Sequence, residues 1–129
     1  MLAQIIKTDQ APATPGPQSQ AVVANGLVFV GGQVALDPRT DQLIQGDIRT
    51  QTKQVMENIK AVLAAAGSSI DQVIMATVFL RDLNDWGIMN ETYWLYFQEN
   101  FPARSVVQVA KLRRGAAVEI EVVALAQDC

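Results

Sequence analysis

The segment that most limits the possible folds runs from Val73 to Leu80 and is predominantly apolar on both faces of a β-strand. Its β-branched and aromatic residues favour extended structure, and alternate residues of a strand point to opposite faces. A strand with two apolar faces has to be covered on both sides. The segment therefore predicts the central strand of a layered sheet.

One helix is predicted before this strand in the sequence and one after it. Asp47 can cap the first, which should stop before Gly67. Asn84 or Asp85 can cap the second, and the segment Asn100-Phe101-Pro102 should end it. The apolar positions that recur at helical spacing, and are expected to face the core, are Ile48, Val55, Ile59, Val62, Leu63 and Ala66 in the first helix and Trp86, Met89, Tyr93 and Phe97 in the second.

The other predicted strands complete an α+β fold. Asn25-Gly26 favours a tight hairpin turn between residues 21–24 and 27–30. Two more strands are predicted over residues 103–110 and 117–126. The order is ββαβαββ, which indicates one domain over residues 1–129 with a mixed sheet and two helices on one face. Two helices leave the second face uncovered, and this predicts self-association.

Charge and composition argue against several kinds of partner. Lys and Arg number 10 against 13 Asp and Glu, so the formal net charge is -3, and no basic run could follow a phosphate backbone. Nucleic acid is not an expected partner. The uncharged stretch over residues 10–36 is interrupted by Pro12, Pro15 and Pro17, so it is not expected to span a membrane.

Cysteine and histidine usage limits location and chemistry. The only cysteine is Cys129, so no internal disulfide can form, and with no recognisable leader we expect a cytoplasmic protein. The chain has no histidine, which excludes Ser-His, Cys-His and His-metal sites. Catalysis would have to use carboxylates, Arg, Lys, Tyr, hydroxyls or backbone amides.

Charged residues of the last two strands are the candidate functional groups. Arg104, Val106 and Gln108 share one face of their strand. On the last strand Glu119 and Glu121 share a face that is expected to point away from the helices. If the second faces pack in a cyclic oligomer, these charges should lie in or near subunit interfaces. Two explanations remain open: structural Arg–carboxylate pairs across the interface, or a cleft in which Arg104 awaits an anionic ligand.

Two glycines in the hairpin region indicate a close approach. The segment Gly31-Gly32-Gln33 follows the second strand, and the missing side chains let a ligand or another backbone come near. A phosphate-binding loop is the alternative, but no Lys-Ser or Lys-Thr pair follows.

Over nearly its whole length the chain resembles the RidA (YjgF-type) imine/enamine deaminase family. The matching stretches are Ala11-Pro12 with Gly16-Pro17, Gly32-Gln33, Asp82-Leu83-Asn84-Asp85, Asn90 with Thr92-Tyr93, Phe101-Pro102-Ala103-Arg104-Ser105, and Glu119-Ile120-Glu121. The resemblance implies the RidA/chorismate mutase-like fold and a homotrimer with three clefts between subunits. It also implies small imino and enamino acids as substrates, such as 2-aminoacrylate and its imine, and no metal or cofactor.

The same resemblance assigns roles to individual residues. Arg104 would clamp the substrate carboxylate, and Glu119 would position or activate the water that attacks the C=N carbon. Asn90 would contribute to the binding cleft, whereas Glu121 is expected to be structural. The products would be a 2-keto acid and ammonia.

Three cleft positions depart from the family pattern. Gln18 stands where many of these deaminases have Tyr, Gly31 where they have Ser, and Val106 where they have Cys. We expect these changes to favour larger apolar imino acids. They also leave open a second function, a non-catalytic trimer that binds small carboxylates. Endoribonuclease activity, attributed to some relatives, is opposed by the acidic charge balance.

Overall fold

The computed structural model describes residues 3–126, so Cys129 lies outside the described residues. The strands are β1 (Gln4–Ile6), β2 (Ala21–Ala24), β3 (Leu27–Gln33), β4 (Val73–Leu80), β5 (Ala103–Gln108) and β6 (Val118–Leu125), and the helices are α1 (Ile48–Ala65) and α2 (Trp86–Phe97). They form one six-stranded sheet in the order β1-β2-β3-β6-β4-β5. The α+β fold class is confirmed, with one addition: the edge strand β1 was not predicted from the sequence.

The hairpin between β2 and β3 forms at the predicted turn. Asn25 and Gly26 have φ angles of 52° and 76°, and Ala24 pairs with Leu27 across the turn. Further along β3 the register with β6 shifts between Val30 and Gln33. The resulting bulge places the glycine pair beside β6.

Helix α1 agrees closely with its sequence pattern. The side chain of Asp47 accepts a hydrogen bond from the backbone N–H of Thr50 at 2.9 Å, as expected for an N-cap. The predicted core positions of this helix are buried except Ala66, which is partly buried and packs against the core. One polar residue in the core, Asn58, donates from Nδ2 to the carbonyl oxygen of Leu36 at 2.9 Å and so ties α1 to the chain after β3.

Helix α2 departs from expectation at its first turn. It follows Asp85, but the Asp85 side chain makes no capping hydrogen bond; Asp82 instead accepts from the N–H of Asn84 in the preceding short turn. Met89 and Phe97 are buried as predicted. The prediction of a core position was wrong for Trp86, which is 48% exposed.

The second face of the sheet carries apolar side chains that no helix covers. Along β4, Ala76, Val78 and Leu80 are buried beneath the helices, while Thr77 and Phe79 point to the other side and are partly exposed. The large apolar side chains on the strands that are 42–68% exposed are Ile5, Phe29, Ile74, Val107 and Leu125. Self-association through this face stays a prediction. None of the helices within residues 3–126 has the length and apolar character needed to cross a bilayer.

Candidate active site

Arg104 lies on the edge strand β5 and points toward helix α2. Strand β5 pairs in parallel with β4, and Arg104 stands beside Ala76, which faces the helices. The guanidinium Nη1 donates to Asn90 Oδ1 at 2.8 Å. Its Cζ lies 4.7 Å from the centroid of the Tyr93 ring. The Arg104 side chain therefore belongs to the helix-covered face, a choice that alternation along β5 left open, and its place in or near a subunit interface stays a prediction.

The guanidinium of Arg104 keeps most of its donors unused within the described chain. A guanidinium has five N–H donors. Among residues 3–126, Asn90 is its only hydrogen-bond partner, and no carboxylate lies within 4.0 Å of it. The group borders a pocket of about 310 Å³ that also includes Trp86 and Trp94. This arrangement can hold a small anion at the open side of the guanidinium.

The ring of Tyr93 lies against the guanidinium of Arg104. Its side chain is buried, and burial raises the pKa of the hydroxyl to about 12, while the positive charge of Arg104 acts in the lowering direction. Within residues 3–126 the hydroxyl has no hydrogen-bond partner. Tyr93 therefore stays neutral at ordinary pH and contributes its ring face to the cation.

Glu119 lies on β6 and points to the second face, opposite Phe79 of β4. Its carboxyl group occupies the space in which Gly32 lacks a side chain, with Cδ 2.9 Å from the position a Cβ would take. Arg113 reaches the same place: its Nε lies 4.0 Å from Glu119 Oε1, and its Nη2 donates to the Gly32 carbonyl oxygen at 3.2 Å. The close approach predicted at this glycine pair is thus made by the chain's own Glu119.

The three departing positions fall in different places. Gly31 donates its N–H to the carbonyl oxygen of Gln20 at 3.0 Å. The side chain of Gln18 turns back into its own loop, where Nε2 donates to the Pro15 carbonyl oxygen at 2.8 Å. It borders a separate groove of about 820 Å³ near β1. Val106 is half-buried on the same face as Arg104 and packs against the core.

The predicted site residues therefore form two separate groups in one chain. The first group is Arg104, Asn90 and Val106 on β5 and α2; the second is Gly31 on β3 and Glu119 on β6, while Gln18 lies apart from both in the loop before β2. Strand β4 stands between β5 and β6, and the partners of Arg104 and Glu119 on β4 are three residues apart, Ala76 and Phe79. At about 4.8 Å per strand and 3.3 Å per residue, roughly 14 Å separates the two backbones, and the side chains point to opposite faces.

Several neighbours of these groups were not predicted to belong to a site. Tyr93 and Trp86 were assigned to the core, and Arg113 and Trp94 were given no role. Helical spacing from Asn90 does find part of this set, because Trp86, Asn90 and Trp94 are four residues apart and share one stripe of α2. The described residues contain no cluster of three His, Cys, Asp or Glu that could hold a metal ion.

Comparisons with known proteins show the family to which the chain is related. The family model described as Endoribonuclease L-PSP matches residues 8–126. A mouse 2-iminobutanoate/2-iminopropanoate deaminase is 44% identical over 125 residues, 97% of this chain and 93% of the relative. The crystal structure of RidA from an Antarctic Psychrobacter superposes with a TM-score of 0.91 at 44% identity, covering 95% of this chain and 98% of that one.

A further solved structure is that of Escherichia coli TdcF with bound serine. It gives a TM-score of 0.91 at 39% identity and covers 96% of this chain and 99% of that chain. A family model that matches residues 8–126, together with relatives above 40% identity over more than nine tenths of their length, shows the family. The chain belongs to the endoribonuclease L-PSP family, in the group of the RidA (YjgF) proteins.

Proposed function

We propose that this protein hydrolyses reactive 2-imino and 2-enamino acids to 2-keto acids and ammonia. The observation that carries the proposal is the state of Arg104: Asn90 and the Tyr93 ring hold its guanidinium, and no carboxylate of the described chain neutralises it. A planar cation with unused parallel donors is suited to a carboxylate. The mouse relative is named as a deaminase of two such imino acids.

In the proposed reaction Arg104 fixes the substrate carboxylate and so orients the adjacent C=N bond. Glu119 accepts a proton from a water molecule while the water oxygen bonds to the imine carbon. That proton passes to the imine nitrogen, which gives a carbinolamine. The hydroxyl proton of the carbinolamine then moves to its amino group, and ammonia leaves as the C=O bond forms. The water supplies the keto oxygen, and the reaction needs no oxidant or reductant.

We further propose that each site is shared by two copies of the chain in a homotrimer. Arg104 and Glu119 point to opposite faces of one sheet, so they cannot meet on one substrate within a single chain. The exposed apolar residues of the second face, such as Phe29 and Val107, supply a surface for packing. A closed ring would bring Arg104 of one copy near Glu119 of the next.

One assay tests the activity directly. An amino-acid oxidase makes imines in situ, and ammonia and keto acid are followed with and without the purified protein. We expect the protein to accelerate their appearance at a constant rate of imine production. No acceleration with imines derived from alanine, methionine, leucine or phenylalanine would contradict the proposal.

A non-catalytic module that binds small carboxylates is the second candidate. The observation in its favour is Gln18, whose amide bonds to Pro15 within its own loop and stands where many of the deaminases have an aromatic side chain. TdcF, whose structure holds serine, is a relative with a small carboxylate ligand. This candidate predicts ligand binding that requires Arg104 but no release of ammonia.

A further inference from the structure

The pocket beside Arg104 has an aromatic wall that the proposed chemistry does not use. The wall consists of Trp86 and Trp94 on α2 and Phe101 in the loop that follows, and it lines the same pocket as Arg104. The side chains of Trp86, Trp94 and Phe101 are 48%, 60% and 47% exposed. Single exposed apolar residues are common, but three around one pocket, next to an arginine that has no carboxylate partner within residues 3–126, form the pattern of a ligand site.

The local structure explains why these rings share a wall with the cation. Trp86, Asn90 and Trp94 form one stripe along α2, and Asn90 in its middle accepts the hydrogen bond from Arg104. Trp94 packs edge-on against Phe101, with centroids 4.9 Å apart and an interplanar angle of 66°. These contacts therefore fix the position of the aromatic wall relative to Arg104 and Asn90.

The pocket has a polar end and an apolar end, and an aromatic amino-acid derivative is divided in the same way. Arg104 and Asn90 form the polar end, which suits a carboxylate, and the rings form the apolar end. We infer that the aromatic wall binds the substrate side chain and that the site selects 2-imino acids with an aromatic side chain. This specificity rests on the deaminase function proposed above and adds Trp86, Trp94 and Phe101 to the site.

The chain supplies its own reporter for the test. It contains two tryptophans, Trp86 and Trp94, and both border this pocket. The probes are 3-phenyllactate and lactate, stable 2-hydroxy acids that resemble the adduct of water with the imine. Tryptophan is excited at a wavelength where neither acid absorbs, and its emission is followed as phenyllactate is added. The affinity for lactate is measured by its ability to displace phenyllactate.

We expect phenyllactate to bind at least about tenfold more tightly than lactate. Trp94→Ala should lower the affinity for phenyllactate by about tenfold and change the affinity for lactate by less than about twofold. Trp86 is then the remaining fluorescent reporter. Trp94→Phe should restore most of the affinity. Arg104→Met should lower the affinity for both acids. Leu95→Ala is the matched control, because Leu95 is a neighbouring α2 residue that is 72% exposed and lies outside this pocket.

Turnover gives a second readout. In the oxidase-coupled assay Trp94→Ala should lower kcat/KM for the phenylalanine-derived imine relative to the alanine-derived imine. Equal affinity of the wild type for phenyllactate and lactate would overturn the inference. A Trp94→Ala variant with a lower oligomer mass and unchanged selectivity would also overturn it and would assign the rings to a subunit contact. Selective binding through Trp94 without ammonia release from any imine would support the pocket and contradict the deaminase function.

Discussion

Arg104 and Glu119 lie on opposite faces of the same sheet, with strand β4 between their strands. Each has its own immediate support: Asn90 bonds the guanidinium, and Gly32 leaves room for the carboxylate. An active site that needs both groups therefore needs two copies of the chain.

Arg104→Ala should lower turnover of 2-imino acids by at least about a hundredfold, because it removes both the binding and the orientation of the carboxylate. The oligomer should stay intact, because the exposed apolar residues of the second face, and not Arg104, are proposed to form the packing surface. Ammonia release and light scattering measure the two effects. Arg49→Ala is the matched control, because Arg49 is an exposed arginine paired with Glu91 at 3.5 Å. Unchanged turnover in Arg104→Ala would make this arginine merely structural.

Glu119→Gln should bind phenyllactate as the wild type does but hydrolyse imines about 10²- to 10⁴-fold more slowly, because an amide cannot accept the proton of the attacking water. Binding by fluorescence and turnover by ammonia release separate the two effects. Glu121→Gln serves as the control on the same strand and face, where the carboxylate is exposed. If Glu119→Gln and Glu121→Gln have equal activity, Glu119 has no role in proton transfer.

Gly32→Ala should lower turnover with little loss of stability. The new Cβ would occupy the place of the Glu119 carboxyl group, and that flexible side chain can move aside. Thermal unfolding and kcat together test this expectation. Gly87→Ala is the control, because nothing lies within 4 Å of its added Cβ and alanine favours helix α2. Full activity of Gly32→Ala would show that the observed position of Glu119 is unimportant for the reaction.

The raised pKa of Tyr93 predicts that the stability of the protein changes at high pH. Its pKa is raised to about 12 in the folded protein, above the ordinary value of 10.0. The unfolded chain therefore loses this proton first, and the free energy of unfolding should fall as the pH rises from about 10 toward 12, by at most about 1.4 kcal/mol per pH unit. The contribution is fully present below pH 10.

Tyr93→Phe should make this fall smaller without abolishing it, because burial and Glu57 also raise the pKa of Tyr96. The substitution keeps the ring beneath Arg104 and removes a buried hydroxyl that has no partner within residues 3–126. Stability at neutral pH should be equal or higher. Denaturant unfolding at several pH values provides the measurement, and a pH dependence identical to that of the wild type would contradict the expectation.

The sequence pattern located the elements better than it located the site. The turn at Asn25-Gly26 and helix α1 could be predicted because local signals, a positive-φ pair and an apolar stripe, determine them. Strand β1 was missed because three residues, Gln4–Ile6, are too few to show alternation.

The orientation of Arg104 needed information that is not local. Alternation on β5 tells which residues share a face, but pairing with β4 beside Ala76 decides that this face is the helical one. Trp86 was misassigned for a similar reason. It lies on the apolar stripe of α2 but borders the pocket near β5, where the sheet ends and no further strand covers it.

The most direct test of a shared site is to mix subunits that carry complementary defects. Arg104→Ala and Glu119→Gln chains with different tags are co-expressed, and oligomers that contain both are purified and shown by light scattering to hold three chains. Each mutant alone should be nearly inactive. In a closed ring of three that holds both chains, one interface of the three has an intact arginine and an intact glutamate, so the purified mixed trimers should regain about one third of the wild-type activity. Mixed trimers with no more activity than the single mutants would contradict the shared site.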